Sequence, residues 1–585
     1  MSVSQNFPTI EPSLNLSFAN TKVLDPRITF SRPTDAVYYD GQTVSKAEEN
    51  LLLRSQEFDI SWIKDSVSTT ANTTVAPDGT TTADTLAFVD TAVSRVYQTF
   101  TGNGSSFTFS VFAKYIDKQW IALRLTDSGG TSRFAWFDIQ NGVVGTTDTG
   151  ITASIVASTE GFYRCIATIA TTATSNFAII YGVNGDGSTS NVGQTGSIAA
   201  WGAQLEARDT VTAYTPTTTQ AITNYIPTLL TAPANTARFD HNPVTGESLG
   251  LLVEEQRTNL LTYSEEFDNA AWTKFNATIT ANTIIAPDGT LTGSKISSTT
   301  GTWSSGLAVG TVSVASSSIS IYAKAGEAPI LQLATYTYGN FQCYFDLTTG
   351  VSNGTVGFTR TMTDVGNGWW RCTVSGTLTV GGAFIFIPMA VNSGLNPAPI
   401  GQGIYIWGAQ LEAGAFPTSY IKTQASQVTR SADSASMTGT NFSDWYRQDE
   451  GTVYVESKAT LPTSGAITTF LSKDITNYIN TGQYTSTLSR AGYVVTNNTD
   501  QANIQFAALS SGTFNKFALA FQTNNIAGTI NAQTVVTDTN CLIPNVTSLT
   551  IGKNITNTQY LNGTIKRISY YPQRLSNENL QALTS

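Results

Sequence analysis

The chain has 585 residues, of which 41% are hydrophobic and only 12% are charged, and its formal net charge is −10. This length suits about four domains, and the low charge implies a surface made largely of Thr, Ser, Asn and Gly. The negative charge argues against a nucleic-acid partner, because affinity for phosphate backbones depends on Lys and Arg. No run of about 20 apolar residues would span a membrane, and the start of the chain lacks the pattern of a secretory signal, so we expect neither insertion nor signal-directed export.

Residues 1–48 predict an N-terminal arm without a core of its own. Residues 1–23 are polar and interrupted by proline, and residues 24–42 read as an extended segment because Gly and Ser do not dominate them. We therefore expect this part of the chain to act as a docking arm.

The middle of the chain contains one domain twice, as residues 49–218 and residues 258–427. The same phrases return in the same order, which is the signature of an internal repeat. The matched phrases are NLLLRSQEFD (50–59) and NLLTYSEEFD (259–268), APDGT (76–80 and 286–290), GFYRC (161–165) and GWWRC (368–372), and WGAQLEA (201–207 and 407–413). Their small changes in spacing indicate loops of different length on one common fold.

Both copies have the pattern of β-sandwiches. Short runs rich in Val, Ile, Thr, Phe and Tyr alternate with Gly, Asn, Asp and Ser, and helical periodicity is nearly absent before the end of the chain. We therefore expect an all-β fold, in which tandem jelly-roll sandwiches precede a further sandwich.

Period-two alternation assigns the inner face of two strands in each copy. The residues predicted to point into the cores are Ala135, Phe137, Ile139, Tyr163, Cys165 and Ala167 in the first copy and Cys343, Phe345, Leu347, Trp370, Cys372 and Val374 in the second. Phe162 and Trp369 then point outwards. The chain has four cysteines, too few for a disulfide scaffold, so we expect buried free thiols rather than a bridge between Cys343 and Cys372.

The outer faces of the same strands carry the candidate glycan-binding residues. Exposed aromatic rings beside Arg, Asn or Asp are typical of sandwiches that bind sugars. The candidates are Trp136 with Arg164 in the first copy and Tyr336, Tyr338, Tyr344 and Arg371 in the second. The alternative is that neighbouring domains or subunits cover both faces and bury these aromatic rings, since large apolar patches commonly mark protein interfaces.

The two APDGT segments predict tight turns, because proline presets φ and Asp-Gly allows the chain to reverse. An alternative role for Asp78 and Asp288 is calcium binding, with Glu206 and Glu412 nearby in the fold. No multi-carboxylate loop is visible, so structural calcium is the weaker expectation, and no other cofactor is expected.

The bridge between the copies, residues 219–257, contains the single histidine, His241. One histidine without a neighbouring cysteine does not make a zinc site, and no G-x-S-x-G elbow supplies a nucleophile. The adjacent carboxylates of Glu254 and Glu255 would point to opposite faces of a strand and could not flank one glycosidic bond. We expect a structural role for His241 and no enzyme activity.

Residues 428–585 predict the further sandwich, which ends in a short helix. Strand patterns recur in GTVYVESKA (451–459), FNKFALAFQ (514–522) and LTIGKN (549–554). The segment 575–585, LSNENLQALTS, offers Ser576 as the N-cap of an amphipathic helix.

These motifs resemble two known kinds of domain. The repeated phrases are similar to the carbohydrate-binding-module-like jelly rolls of tailed-phage virion proteins of the head-fibre, head-spike and tail types, and TARFDHNPVTGESLGLLVEEQRTNLL (236–261) resembles the segment that precedes them. The first copy lacks the GLLVEEQRTN portion of that segment. YLNGTIKRISYYPQRLSNENLQAL (560–583) resembles the end of laminin-G or concanavalin-A-like sandwiches.

The resemblance implies a structural virion protein of a tailed bacteriophage, assembled in the host cytoplasm. It would form an outward-facing capsid fibre, decoration or tail appendage in contact with other virion proteins. For such an appendage we expect a homotrimer and avid binding of host-surface glycans. Two alternatives stay open: a polysaccharide-degrading tailspike-type enzyme, which needs convergent Asp or Glu in a groove, and a structural brace that binds no sugar.

Overall fold

The computed structural model describes residues 10–102, 106–170, 175–301, 306–311, 316–335, 342–377, 383–389, 398–460, 465–485, 487–510 and 512–585. Within these ranges the chain is built mainly of β-strands, as the sequence predicts. The described helices are α1 (Phe18–Thr21), α2 (Thr440–Ser443), α3 (Asn577–Thr584) and one 3₁₀ turn (Thr159–Gly161). None of them is long and apolar enough to cross a membrane.

The two repeats fold into sandwiches of the same topology. The N-terminal segment holds β1 (Leu14–Leu16), β2 (Thr29–Ser31), β3 (Ala36–Tyr38) and β4 (Val44–Asn50). The first copy holds β5 (Ile63–Asp65), β6 (Val67–Thr74), β7 (Ala83–Phe88), β8 (Arg95–Phe100), β9 (Ser106–Tyr115), β10 (Trp120–Thr126), β11 (Ser132–Asp138), β12 (Val143–Thr147), β13 (Ile151–Ala157), β14 (Tyr163–Ala170), β15 (Asn176–Gly182) and β16 (Gly196–Glu206). They form two six-stranded sheets, β12-β11-β10-β15-β8-β5 and β13-β14-β9-β16-β7-β6.

The bridge and the second copy follow in the same way. The bridge holds β17 (Ile222–Pro227), β18 (Leu230–Ala232), β19 (Arg238–His241), β20 (Ser248–Val253) and β21 (Arg257–Asn259). The second copy holds β22 (Thr273–Phe275), β23 (Ala277–Ile284), β24 (Gly293–Ser298), β25 (Gly306–Thr311), β26 (Ser316–Ala325), β27 (Ile330–Thr335), β28 (Gln342–Asp346), β29 (Val351–Gly354), β30 (Thr359–Gly366), β31 (Trp369–Thr377), β32 (Ala383–Met389) and β33 (Gly403–Ala413). Its six-stranded sheets, β22-β25-β32-β27-β28-β29 and β23-β24-β33-β26-β31-β30, match those of the first copy strand for strand.

The inner faces of the two copies are largely those that alternation predicts. The predicted residues found buried in the two cores are Ala135, Phe137, Ile139, Cys165 and Ala167, and Cys343, Phe345, Leu347, Cys372 and Val374. Trp370 packs against the second core but is only partly buried, and Tyr163 is half-buried at the end of its strand. All four cysteines are buried free thiols, so the prediction of no Cys343–Cys372 bridge is confirmed.

The outer face of the sheet that contains β31, in the second copy, is covered by other parts of the chain. Strand β4 pairs with β17, β3 pairs with β18, and Tyr39, Ala47 and Ile226 from these ribbons join the cluster that encloses Trp369. Trp369 was predicted to point outwards, yet it is fully buried and its Nε1 donates to the carbonyl of Ile285 at 3.1 Å. The alternative that neighbouring parts of the chain cover an outer face therefore holds for this sheet of the second copy.

The C-terminal sandwich draws strands from three parts of the chain. Strand β34 (Val428–Arg430) pairs with β21 in a separate two-stranded sheet. The sandwich's own strands are β35 (Ser434–Thr438), β36 (Glu450–Ala459), β37 (Ala466–Asp474), β38 (Asn477–Tyr484), β39 (Leu488–Thr496), β40 (Thr499–Ala507), β41 (Asn515–Gln522), β42 (Ile526–Ile530), β43 (Val536–Asp538), β44 (Ser548–Ile551) and β45 (Gly563–Tyr571). The eight-stranded sheet runs β19-β20-β45-β36-β41-β42-β43, with β1 also paired to β45, and the seven-stranded sheet runs β2-β35-β44-β37-β38-β39-β40. The predicted helix is confirmed as α3, where Ser576 Oγ accepts from the Asn579 amide.

Part of the N-terminal segment, for which the sequence predicts a docking arm without a core of its own, packs into the core of the C-terminal sandwich. Leu14, Leu16 and Phe18 are each at most 3% exposed and belong to the core of the C-terminal sandwich. They alternate with polar residues, so the segment is polar in composition but apolar on one face. Residues 14–31 are therefore part of a domain whose remaining strands lie more than two hundred residues away in sequence.

Five buried charged side chains join these parts; we call them the ionic junction: Arg32, Arg238, Glu254, Arg430 and Asp433. Arg238 Nη2 lies 2.6 Å from Asp433 Oδ2 and 2.9 Å from Glu254 Oε2, and Arg32 Nη1 lies 3.1 Å from Asp433 Oδ1. Glu254 also accepts from the Ser419 amide and hydroxyl of the second copy. The junction thus ties the N-terminal segment, the bridge, the second copy and the C-terminal sandwich to one another.

Candidate glycan-binding groove

Trp136 lies on the predicted outer face of β11, but it is not exposed. Only 4% of the residue is accessible, its Nε1 donates to the Ser188 carbonyl at 2.6 Å, and Phe134 stacks on it with ring centroids 5.4 Å apart. Tyr181 belongs to the same buried cluster. The prediction that Trp136 offers a free ring plane is wrong, because side chains and a loop of its own copy cover it.

Arg164 and Arg371 occupy matched positions, but they do not share a sheet with the aromatic residues assigned to them. Arg164 on β14 lies in the sheet opposite Trp136, and Arg371 on β31 lies in the sheet opposite Tyr344. Each guanidinium binds inside its own copy: the partners are Ser110 Oγ and the Thr212 carbonyl for the first, and Ser320 Oγ and the Thr418 carbonyl for the second. These arginines fix the segment after WGAQLEA and do not form the predicted sites.

Tyr344 is half-buried beside Ala308 and Ile330 on the outer face of the second copy. Its hydroxyl donates to Gln342 Oε1 at 3.1 Å. Tyr336 and Tyr338, the other candidates on this face, lie outside the described residues. Tyr344 is therefore the one predicted aromatic residue that the described structure leaves partly accessible.

The two APDGT segments are turns, as predicted. In each, the aspartate Oδ1 accepts from the amide and the hydroxyl of the threonine two residues later, so Asp78 binds Thr80 as Asp288 binds Thr290. Glu206 and Glu412 are instead buried against the matched threonines Thr212 and Thr418, and burial raises the pKa of both carboxyls. Among the described residues, no group of three or more His, Cys, Asp or Glu is arranged to hold a metal ion.

A groove that the sequence analysis missed lies on the outer face of the seven-stranded sheet of the C-terminal sandwich. It encloses about 290 Å³ between strands β37 to β39 and the loop after β44. Its lining residues are Phe470, Ile475, Tyr478, Asn480, Gln483, Arg490, Tyr493, Asn554, Ile555, Thr556 and Gln559. We call it the C-terminal groove.

The register of the sheet explains how these residues meet. Phe470, Asn480, Tyr493 and Asn503 are directly opposite one another on β37, β38, β39 and β40, and opposed residues point to the same face. Their neighbours in sequence form the parallel row on the inner side, and that row is buried in the core: Leu471, Ile479, Val494 and Ala502. The same alternation that builds the core therefore lines up a polar and aromatic row on the outside.

A glycine brings a further polar residue into the groove. Gly482 has φ +72°, a conformation that other residues adopt only with strain, and it interrupts the alternation of β38. As a result Asn480 and Gln483, three residues apart, both line the groove. A Cβ at position 482 would lie 2.8 Å from Thr468 Oγ1, so the space as well as the backbone favours glycine.

The floor of the groove is aromatic. The rings of Phe470 and Tyr478 stack with centroids 4.7 Å apart and planes 24° apart, and Tyr493 lies 6.0 Å from Tyr478. Burial, together with a hydrogen bond to Asp500, raises the pKa of Tyr493, and burial raises that of Tyr478. Both hydroxyls therefore stay protonated at neutral pH and can serve as hydrogen-bond donors or acceptors.

The walls carry fixed polar groups. Arg490 Nε donates to Asn503 Oδ1 at 2.9 Å, its Nη1 donates to Gln483 Oε1 at 2.8 Å, and its guanidinium lies 5.3 Å from the Tyr493 ring centroid. Asn480 is only 2% exposed, and its Oδ1 has no hydrogen-bond partner within the described structure. An unpaired buried acceptor costs about 1–3 kcal/mol, and a ligand that donates to it would remove that cost.

Some of this could have been found in the sequence. In the stretch NYINTGQY (477–484), Tyr478 and Asn480 alternate with apolar Ile479, and the next strand carries Arg490 and Tyr493. Aromatic residues beside Arg or Asn are also the residue types of the candidate glycan-binding residues in the repeats. Only the register of the strands shows that they line one groove.

Comparison with known proteins gives similarities of fold. No family model and no curated protein sequence matches the chain. Among solved structures, the CBM40 module of the Ruminococcus gnavus IT-sialidase bound to alpha2,3 sialyllactose is 14% identical, with a TM-score of 0.21, over 24% of this chain and 84% of that one.

Two further structures extend over more of the chain. The CBM22-1-CBM22-2 tandem of Paenibacillus barcinonensis Xyn10C is 11% identical, with a TM-score of 0.20, over 63% of this chain and 98% of its own. Domains LG4-5 of the mouse laminin alpha1 chain are 8% identical, with a TM-score of 0.18, over 56% of this chain and 91% of that one. The proteins it is similar to are thus carbohydrate-binding modules and laminin G domains, while the all-β sandwich class rests on the strands and sheets described above.

Proposed function

We propose that this protein binds glycans through the C-terminal groove. The observation that carries the proposal is the unpaired, buried Oδ1 of Asn480 beside the rings of Tyr478 and Tyr493. A pyranose offers an apolar face that packs on an aromatic ring and hydroxyls that donate to a fixed acceptor. The volume of the C-terminal groove, about 290 Å³, is near the lower end of the range for small-molecule sites, which suits one or two sugar units.

The composition of the groove favours binding over hydrolysis. Glycosidases need two carboxyl groups that flank the scissile bond. Among the described residues that line the groove, none is Asp or Glu. We therefore propose a binding protein without glycosidase activity, rather than the tailspike-type enzyme that the sequence left open.

We further propose, from the resemblance of the repeated phrases, that the protein is a structural component of a tailed-phage virion and a homotrimer. Avidity supports this combination, because a shallow groove of modest affinity gains strength when many copies act together. Mass spectrometry of purified particles would test the location, and light scattering of the purified protein would test the trimer. Absence from particles, or a monomer, would contradict these two proposals without affecting glycan binding.

A glycan array probed with the full-length protein tests the proposed binding directly. We expect a defined set of glycans to be retained, and Tyr493→Ala to weaken that binding by about tenfold or more, because stacking on the ring is lost. Tyr225→Ala is the matched control, since Tyr225 is 56% exposed and lies outside the groove. An empty array, or equal binding by a folded Tyr493→Ala, would refute the proposal.

A further inference from the structure

Among the described residues that line the C-terminal groove, Arg490 is the only one with a permanent charge. Its Nε donates a hydrogen bond to Asn503, and one N–H of Nη1 donates to Gln483. Two neutral partners therefore fix the orientation of the guanidinium. Within the described structure, no carboxylate forms an ion pair with it. The edge formed by Nη1 and Nη2 therefore keeps hydrogen-bond donors and a full positive charge for a ligand.

Asp500 is an acidic residue on the adjacent strand β40, but it does not lie opposite Arg490. The register of β39 and β40 places Asp500 opposite Val495, whereas the neutral Gln505 lies opposite Arg490. Tyr493 thus lies between the guanidinium and this carboxylate along the sheet. Among the described lining residues, the positive charge of the groove therefore lies at Arg490.

We infer that the groove recognises a carboxylated sugar, an inference that rests on the proposed glycan binding. The sugar carboxylate binds the free edge of Arg490, the ring packs on Tyr493 and Tyr478, and a sugar hydroxyl donates to Asn480 Oδ1. Arginine suits this role because its planar donors match a carboxylate in a bidentate manner. Because neighbours already orient the guanidinium, little side-chain freedom is lost on binding.

Affinity electrophoresis of the full-length protein distinguishes this inference from general glycan binding. The probes are polygalacturonate, alginate, hyaluronate and sialyllactose-substituted polymer as carboxylated glycans, dextran as the neutral one, and dextran sulfate as the sulfated one. We expect retardation by at least one carboxylated probe and none by dextran. Arg490→Gln should weaken that retardation by about tenfold or more, since a charge-assisted contact is lost.

The control is Arg447→Gln, because Arg447 is an exposed arginine of the same sandwich that pairs with Asp449 outside the groove. Thermal melts of both variants show whether each remains folded. Retardation by dextran equal to that by carboxylated probes, equal or stronger retardation by dextran sulfate, or an unchanged Arg490→Gln would overturn the inference but leave glycan binding standing. No retardation by any probe, together with an empty array, would overturn both.

Discussion

The ionic junction makes native stability depend on pH through Glu254. Burial alone would raise the pKa of this carboxyl, but the charges of Arg430 and Arg238 outweigh burial, and its pKa lies below the ordinary glutamate value. Such a group stabilises the folded state above its unfolded pKa of about 4.3, and that contribution is lost as the pH falls. We expect the melting temperature of the wild type to decrease as the pH falls below about 5. In Glu254→Gln this decrease should be less steep.

That variant should also be less stable at neutral pH, by about 3–5 kcal/mol, because a buried arginine loses its partner. Glu266→Gln is the control, since Glu266 is exposed to solvent. Circular dichroism melts at a series of pH values measure both effects. Parallel pH profiles for the wild type and Glu254→Gln would show that this carboxyl does not govern acid stability.

For single residues, the sequence predicts the direction of a side chain better than it predicts which other parts of the chain cover it. Alternation correctly places Phe137 and Cys165 in a core, because period two is a property of the strand itself. It cannot show that a loop covers Trp136 or that a ribbon from another segment covers Trp369, since both covers depend on tertiary contacts. The candidate site was missed for the same reason, because Asn480 and Tyr493 meet only through strand register.

Strand β1 shows how much one short element contributes to a distant domain. It pairs with β45, and the adjacent Phe18 is 1% exposed in the C-terminal core. We expect Phe18→Ala to lower the free energy of unfolding by about 3–5 kcal/mol, because a large side chain leaves a cavity in a packed core. Asn20→Ala, an exposed change in the same helix, should have little effect.

Chemical denaturation followed by intrinsic fluorescence measures this difference, because Trp445 lies in the same core. Equal midpoints for Phe18→Ala and Asn20→Ala would mean that the N-terminal segment does not belong to the folded unit.

The two repeats, unlike β1, could be predicted from the sequence as whole elements. Each carries its own phrases in order, whereas β1 and β2 belong to a sandwich whose other strands carry no matching phrase.

At the scale of the whole molecule, the chain crosses between units more than once. The first 244 residues supply β1, β2 and β19 to the C-terminal sandwich, as well as Arg32 and Arg238 to the ionic junction. The peptide chain is therefore only one of the connections between the first 244 residues and the C-terminal sandwich; strand pairing and buried ion pairs are the others. A cut in the turn between β19 and β20, where Val244 is 53% exposed, would remove the peptide link and leave the strand pairing intact.

We expect a chain with a protease site inserted between Val244 and Thr245 to be cut in its native state and still to elute as one species. The two fragments should separate only in concentrated urea, because three strand pairings and a buried charge network hold them together. Size-exclusion chromatography after cleavage measures this, with denaturing gels to confirm the cut. Separation in native buffer would contradict this prediction, because it would show that β1, β2 and β19 do not hold the N-terminal fragment to the C-terminal sandwich.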